Sequence, residues 1–328
     1  MCRLSDVPAR VYLSNSRFHP RGFMLHASQS ILVFGATGQQ GGSVAAALVK
    51  AGWPVRALVR DRTSEKAATL AQAGVELTEG SFEDIDTMRR AIDGAYGVFS
   101  VQPSSPGGAV TDAEEVRYGI TVADLAVENG VQHLVYSSGA AVRTGQLTGL
   151  GHFDSKAAIE RHVHTLPITA TIVRPAAFME MLLMPGFGLD EGRFTFFNRP
   201  DQAMQFIAVE DIGKIVAAVF ADSKRFGGQT FEIASDTLTG SELGEAFSDA
   251  AGRAITYQRY SEDVLATNPF LAKLAALLDD GRLAGQADLS ALRAINPELR
   301  SFRSWLMGDA RQAFERALGT SGSWAYNN

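Results

Sequence analysis

The segment His-Phe-Asp-Ser-Lys at residues 152–156 holds two side chains with proton chemistry. His152 and Lys156 are four residues apart, so on a helix they lie on one face. Imidazole can donate a proton near neutral pH, which makes His152 a candidate general acid. The alternative for His152 is a residue that merely begins a helix, where Asp154 would also sit at the positive end.

Two hydroxyls precede this segment, at Ser137 and Ser138, where a predicted strand at 132–137 ends. Parallel sheets form their ligand sites at the carboxyl ends of the strands, so both hydroxyls are candidates for the same site as His152 and Lys156. The alternative is that one or both of them only cap the end of the strand.

A glycine motif, Gly35-x-x-Gly38-x-x-Gly41, directly follows an apolar run at 31–34 and opens an Ala/Val/Leu-rich helix. In this context Gly35 permits a sharp turn, Gly38 a close approach to a pyrophosphate, and Gly41 close packing of helix on strand. The N-terminus of the helix adds free N–H donors. We therefore predict a dinucleotide site that includes these residues: Gly35, Thr37, Gly38, Gln39, Gln40 and Gly41.

The end of the second predicted strand, at 55–59, bears on the choice between NAD and NADP. Arg60 follows the strand, and Lys66 lies about a turn into the next helix. A guanidinium suits a 2′-phosphate by its charge and its fork of donors, so we predict a preference for NADP(H). Asp61 leaves NAD(H) open, because an acid at this point can bind the ribose hydroxyls.

Further cofactor contacts are predicted at the ends of later strands. Ser81 and Phe82 are candidates for the adenine, although Ser81 is also placed to cap a helix. Val101 and Gln102 are candidates for the second ribose and the nicotinamide ring. After the sixth strand, Pro175 and Phe178 are candidates for the nicotinamide, with ordinary core packing as the alternative.

These residues need a scaffold, and the pattern predicts an α/β protein with a doubly wound parallel sheet. Apolar strands alternate with helices that end at glycines as far as residue 174, which is typical of βαβ units. After residue 174 the regular alternation of strands and helices ends, and a smaller α+β region follows. We predict these boundaries: a disordered extension at 1–29, a Rossmann domain at 30–176, a C-terminal substrate or partner domain at 177–318, with 203–222 left open as a return to the first sheet, and a loose tail at 319–328.

Composition excludes several classes of function. The 328 residues carry a net charge of −6 and no basic run, which argues against nucleic-acid binding. Every apolar run ends well before the roughly 18 residues that a membrane span needs. Cys2 is the single cysteine, so disulfides and Cys/His zinc sites are not expected. We predict a cytoplasmic protein without a metal site.

Five segments together resemble the NmrA-like family of atypical short-chain dehydrogenases/reductases. They are GATGQQGGSV at 35–44, Arg60, HFDSK at 152–156, VRPAAFMEMLL at 173–183 and INPELRSFRSWL at 295–306. The resemblance covers nearly all of residues 31–310 and implies a Rossmann domain that binds NADP(H), with a small C-terminal domain that completes a cleft. It implies one of two functions: a redox sensor that controls a protein partner, or an NADPH-dependent reductase of quinones, phenylpropanoids or similar small molecules.

The resemblance also assigns roles. In working short-chain reductases a serine holds the carbonyl, a tyrosine passes the proton and a lysine binds the nicotinamide ribose. Here Ser138 or Ser137 takes the serine position and Lys156 the lysine position, whereas His152 stands in place of the tyrosine. We therefore predict a redox-state sensor, with a reductase that uses Lys156 and His152 as the alternative. A homo-oligomer remains open.

Overall fold

The computed structural model describes residues 29–319. The predicted extension at 1–29 and tail at 319–328 therefore lie, apart from Gln29 and Gly319, outside the described residues. The strands are β1 Ile31–Val33, β2 Val55–Val59, β3 Glu76–Glu79, β4 Gly97–Ser100, β5 His133–Ser137, β6 Ala170–Pro175, β7 Ala177–Phe178, β8 Arg193–Phe196, β9 Met204–Ile207, β10 Thr230–Ile233, β11 Asp236–Leu238 and β12 Thr256–Arg259.

The helices surround these strands. They are α1 Gln39–Lys50, α2 Glu65–Gln72, α3 Ile85–Ile92, α4 Asp112–Glu128, α5 Gly151–Val163, α6 Val209–Ala221, α7 Ser223–Phe226, α8 Gly240–Ala251, α9 Glu262–Thr267, α10 Pro269–Asp279, α11 Leu289–Ile295, α12 Phe302–Met307 and α13 Arg311–Gly319. None of the helices in the described part of the chain has the length and apolar character needed to cross a bilayer.

The predicted doubly wound sheet is confirmed. Seven parallel strands follow the order β10-β6-β5-β4-β1-β2-β3. Side chains alternate across the sheet: Ile31 and Val33 pack in a core with α1 and α6, whereas Leu32 packs in a core with α3, α4 and α5. Apolar runs such as residues 31–34 are therefore buried on both faces, as a sheet between two helical layers requires.

The strand order reverses between β1 and β4, and this reversal positions the site. The chain leaves β1 towards β2 on one side and reaches β4 on the other. The chain consequently runs in opposite directions after β1 and β4, and in doubly wound sheets such a reversal forms the crevice at the carboxyl ends of the strands where ligands bind.

The strand by which the chain returns to the main sheet comes after residues 203–222. In that segment β9 pairs with β11 and β7 in a separate three-stranded sheet, and α6 packs against α1 on the face of the main sheet. The strand that extends the main sheet is β10, in register with β6 from Thr230 opposite Ile172 to Ile233 opposite Pro175. Strand pairing over such a separation depends on tertiary packing, which local pattern does not encode.

The C-terminal lobe has its own core of aromatic rings. Phe194 lies 4.7 Å from Phe247, and Phe247 lies 5.6 Å from Phe314, between ring centroids. In this lobe the apolar pattern of the sequence predicts helices at about 261–280 and 298–318, and the structure breaks each of them in two. Pro269 ends the first because it cannot donate the hydrogen bond that continues a helix, and the second breaks at Gly308.

Asp211 joins the C-terminal segment to the main sheet. Its carboxylate is fully buried and accepts hydrogen bonds from Ser235 Oγ at 2.7 Å, Asn296 Nδ2 at 2.8 Å and the Arg300 backbone N–H at 3.0 Å. These bonds satisfy a buried charge, so α6, the chain after β10 and the segment after α11 are held together at one point.

Candidate functional site

The glycine loop is built so that larger residues do not fit. Gly35 has a φ of +67°, and a Cβ there would lie 2.9 Å from Val101 Cγ1. A Cβ on Gly41 would lie 2.3 Å from the Gly35 carbonyl oxygen. The first turn of α1 is therefore pressed against the loop, and Val101 at the end of β4 packs beneath it.

The N-terminus of α1 fits a pyrophosphate. Its N-cap is Gly38, no side chain caps the helix, and no acid lies in its first turn. The leading N–H groups and the positive end of the helix dipole thus face the crevice without a protein anion to occupy them. Thr37 is half-buried and Gln39 is exposed beside this turn.

Gln40 connects the glycine loop to the opposite half of the sheet. Its Oε1 accepts a hydrogen bond from Ser137 Oγ at 2.7 Å. Ser137 is almost completely buried at the end of β5. The structure thus brings these two predicted residues together, and Ser137 uses its hydroxyl as a donor to the loop.

The predicted 2′-phosphate contacts lie at the end of β2. Arg60 and Lys66 are exposed, and neither side chain forms an ion pair or hydrogen bond within residues 29–319. Asp61, in contrast, accepts from the Thr63 N–H at 2.7 Å and the Thr63 hydroxyl at 2.6 Å. The bonds from Thr63 lower the pKa of Asp61. The acid is therefore engaged in a local turn, whereas the two cations remain available for an anion.

The predicted adenine contacts have partners within the protein. Ser81 Oγ accepts from the Glu83 N–H at 3.2 Å, and the cap of α3 is Asp84 rather than Ser81. Phe82 stacks on Phe34 and Tyr118, with ring centroids at 5.5 and 5.2 Å. An adenine contact by Ser81 or Phe82 stays a prediction.

Lys156 lies in a small polar cluster on the far side of the crevice. Its Nζ forms an ion pair with the carboxylate of Glu115 and lies 3.3 Å from Ser104 Oγ. Ser104 Oγ in turn donates to Glu115 Oε2 at 3.1 Å. The Lys156 side chain is 15% exposed and that of Glu115 only 1%. Burial raises the pKa of Glu115, and the Lys156 ammonium opposes this rise.

Glu115 was not predicted as a site residue, although the sequence contains a signal for it. It lies on the buried stripe of α4 with Tyr118, Gly119 and Val122, at the spacing of one helix face. An acid on such a stripe needs a partner. The signal is visible, but the identity of the partner depends on how α4 packs against α5.

Ser138 comes directly before the residue that lies beside the stem of Lys156. Its hydroxyl is buried, with the residue 3% exposed, and has no hydrogen-bond partner within residues 29–319. A Cβ on the following residue, Gly139, would lie 3.7 Å from Lys156 Cδ and 3.8 Å from the ring of Phe153. The end of β5 therefore lies beside the predicted lysine, and Ser138 has a buried hydroxyl that is left for a ligand.

His152 lies one turn before Lys156, but its environment does not suit a general acid. Its ring centroid is 4.0 Å from that of Phe153 and 5.8 Å from that of Phe270 on α10. Burial, reinforced by the charge of Lys156, lowers the pKa of His152 to about 4. The imidazole is thus neutral at neutral pH, which removes the titration argument for His152 as a proton donor.

The remaining predicted contacts line the ends of β4 and β6. Gln102 is buried and donates to Ser100 Oγ at 2.8 Å. Pro175 closes β6, and Phe178 is half-buried where β7 pairs with β9. Roles for these three residues in nicotinamide binding stay predictions. Within residues 29–319 no cluster of three or more His, Cys, Asp or Glu side chains is placed to hold a metal ion.

Comparison with known proteins agrees with this geometry. The profile of the NmrA-like family matches residues 27–284. An NmrA-like family domain-containing oxidoreductase of Aspergillus hancockii, hkm9, is 32% identical over 250 residues, which cover 70% of this chain and 74% of that protein.

Two crystal structures share the fold. NmrA, a negative transcriptional regulator in complex with NADP, superposes with a TM-score of 0.71 at 21% identity, over 88% of this chain and 97% of that one. Triphenylmethane reductase of Citrobacter sp., complexed with NADP(H), gives a TM-score of 0.70 at 22% identity, over 88% of this chain and 100% of that one.

Proposed function

The chain belongs to the NmrA-like family, and from that premise we propose that it binds NADP(H), with NAD(H) as the weaker ligand. The observation that carries the proposal is the uncapped N-terminus of α1 behind a loop in which Gly35 and Gly41 cannot carry a side chain. Arg60 and Lys66, without ion-pair partners in the described part of the chain, supply charge for a 2′-phosphate. The NADP complexes of two proteins with this fold support it.

We further propose that the protein is an NADPH-dependent reductase of a quinone or other small carbonyl compound. When bound, the reduced nicotinamide supplies a hydride. Lys156 donates a proton to the substrate oxygen as the hydride reaches carbon, and regains a proton from solvent after product leaves. Ser138, whose buried hydroxyl has no partner among the described residues, donates a hydrogen bond to the same oxygen. The ring of His152 packs with those of Phe153 and Phe270, and these three rings contribute apolar surface to the site.

A second candidate is the redox-state sensor, and the environment of His152 favours it. The residue at the position of the usual catalytic tyrosine is neutral and packed between phenyl rings, which suits a protein that binds nucleotide without turnover. The likeness in fold to a transcriptional regulator is in keeping with this candidate. Sensing would require that NADPH and NADP⁺ differ in affinity for two conformations of the protein.

Turnover separates the two candidates. NADPH consumption should be followed with a panel of quinones and enones for the wild type, Lys156→Ala and His152→Ala, with the exposed His164→Ala as the matched control. We expect turnover that Lys156→Ala abolishes and that both histidine variants largely retain. NADPH binding without any turnover would support the sensor instead, and absence of binding would contradict both candidates.

A further inference from the structure

Glu115 is a buried acid to which the proposed reaction gives no part. One carboxylate oxygen contacts Lys156 Nζ, and the other accepts from Ser104 Oγ at 3.1 Å. The side chain is 1% exposed. A buried carboxylate is costly unless it is paired and hydrogen-bonded, so this acid is tied to the presence of a cation opposite it.

The contacts of the Lys156 ammonium restrict the directions in which its N–H groups can point. An ammonium has three N–H donors. Two of them serve Glu115 and Ser104, and the lysine stem passes Gly139 at the end of β5. The third donor is therefore confined to the directions that the first two leave open.

We propose that Glu115 is a positioning residue for Lys156: its carboxylate fixes the direction of the ammonium so that the one remaining N–H serves the nicotinamide end of the site. The inference rests on the proposed function, because it gives Glu115 a part in the same site. Replacing Glu115 by a neutral residue should change the pH at which Lys156 no longer supports NADPH binding. A carboxylate that only stabilises the fold would leave that pH unchanged.

Among the titratable groups near Lys156, Glu115 is its ion-pair partner. The other groups around this cluster are Asp112 from α4, Tyr136 from β5, and His152, Asp154 and Glu160 from α5. Burial keeps His152 neutral, with a pKa of about 4, and raises the pKa of Tyr136 far above its ordinary value. Glu160 lies one turn from Lys156 on α5 but is paired with Arg174.

The test is the affinity for NADPH, measured by its fluorescence from about pH 7 to 10.5, a range that spans the loss of a lysine proton. We expect the affinity for NADPH to fall at alkaline pH, and the midpoint of this fall should be on the order of one to three pH units lower in Glu115→Gln than in the wild type. Lys156→Arg cannot lose its charge in this range. The alkaline fall should therefore disappear in Lys156→Arg, which would assign it to Lys156. Glu115→Asp, which keeps the charge, should leave the midpoint near that of the wild type.

Glu160→Gln is the matched control. Glu160 is also a buried partner in an ion pair, with Arg174 at 2.6 Å and 6% side-chain exposure, and it lies on the same helix as Lys156. Its variant should keep the wild-type midpoint. If the wild type binds NADPH and the midpoint for Glu115→Gln does not move, the positioning role is wrong while the proposed function stands. If the wild type does not bind NADPH, both are overturned.

Discussion

Single side chains decide the specificity and the chemistry that we propose. Arg60 and Lys66 are exposed cations without an ion-pair partner in the described region, and Asp61 beside them is engaged by Thr63. At the other end of the crevice, Lys156 is held by Glu115 and Ser104. The proposed site therefore has cations for a phosphate at one end and, in Lys156, the proposed proton donor at the other.

Arg60→Ala should weaken NADPH binding roughly tenfold to a hundredfold, because a charge-assisted contact to phosphate is lost. NADH lacks the 2′-phosphate, so its affinity should change little. Parallel fluorescence titrations with the two nucleotides measure the difference, with Arg62→Ala as a control for loss of surface charge. Equal losses for NADPH and NADH would show that Arg60 does not contact the 2′-phosphate.

Lys156→Met should destabilise the protein in a pH-dependent way. Burial already raises the pKa of Glu115, and loss of the cation raises it further. A carboxyl whose folded pKa is raised contributes stability at low pH that is lost as the pH rises through that pKa. We expect a deficit of about 3–5 kcal/mol near pH 8 that shrinks towards pH 5.

Urea unfolding of the wild type and Lys156→Met at both pH values measures this deficit. Adding Glu115→Gln to Lys156→Met removes the unpaired carboxyl, so the double variant should recover stability near pH 8. A deficit that is the same at both pH values would mean that Glu115 does not titrate in response to Lys156.

At the scale of elements, the turn between β1 and α1 creates the nucleotide site. Gly41 packs so closely on Gly35 that a methyl group would require the helix to move. Gly41→Ala should therefore reduce NADPH affinity at least tenfold, because helix N–H groups displaced by a few tenths of an ångström no longer match the phosphates. Gly319→Ala, whose new methyl would have no heavy atom of the described residues within 4 Å, is the control. Unchanged affinity for Gly41→Ala would contradict the predicted loop contact.

The sequence predicts local elements well where one physical signal dominates. The first six strands and the helices between them agree with the pattern of apolar runs and closing glycines to within about two residues. The apolar periodicity continues through Pro269 and Gly308 and therefore predicts unbroken helices there. Proline and glycine are themselves chain-breaking signals, and at these two positions they outweigh the periodicity.

Long-range contacts are the part that sequence could not supply. The apolar run at 230–235 predicts a strand, but its pairing with β6 is a long-range contact that local pattern does not encode. In the site, Lys156 and Ser138 were expected together from the family resemblance. Glu115 is not predicted because its partner lies across a helix interface. The pKa of His152 is lowered chiefly by burial, and that burial includes a ring contact with Phe270 from the other lobe, which local pattern does not encode.

At the scale of the whole molecule, two lobes contact each other beside the proposed site. The lobe of the main sheet carries the proposed phosphate contacts and Lys156. The C-terminal lobe meets it where Phe270 of α10 lies 5.8 Å from His152, between ring centroids, and through the hydrogen bonds of Asp211. A ligand that binds this crevice should stabilise the whole chain by mass action, because unfolding destroys the site.

The most direct test of the account is a fluorescence titration of the full chain with NADPH and, separately, with NADH at neutral pH. We predict saturable binding of both, with the tighter dissociation constant for NADPH. No binding of NADPH at physiological concentrations, or tighter binding of NADH, would contradict the central claim that this crevice is an NADP(H) site.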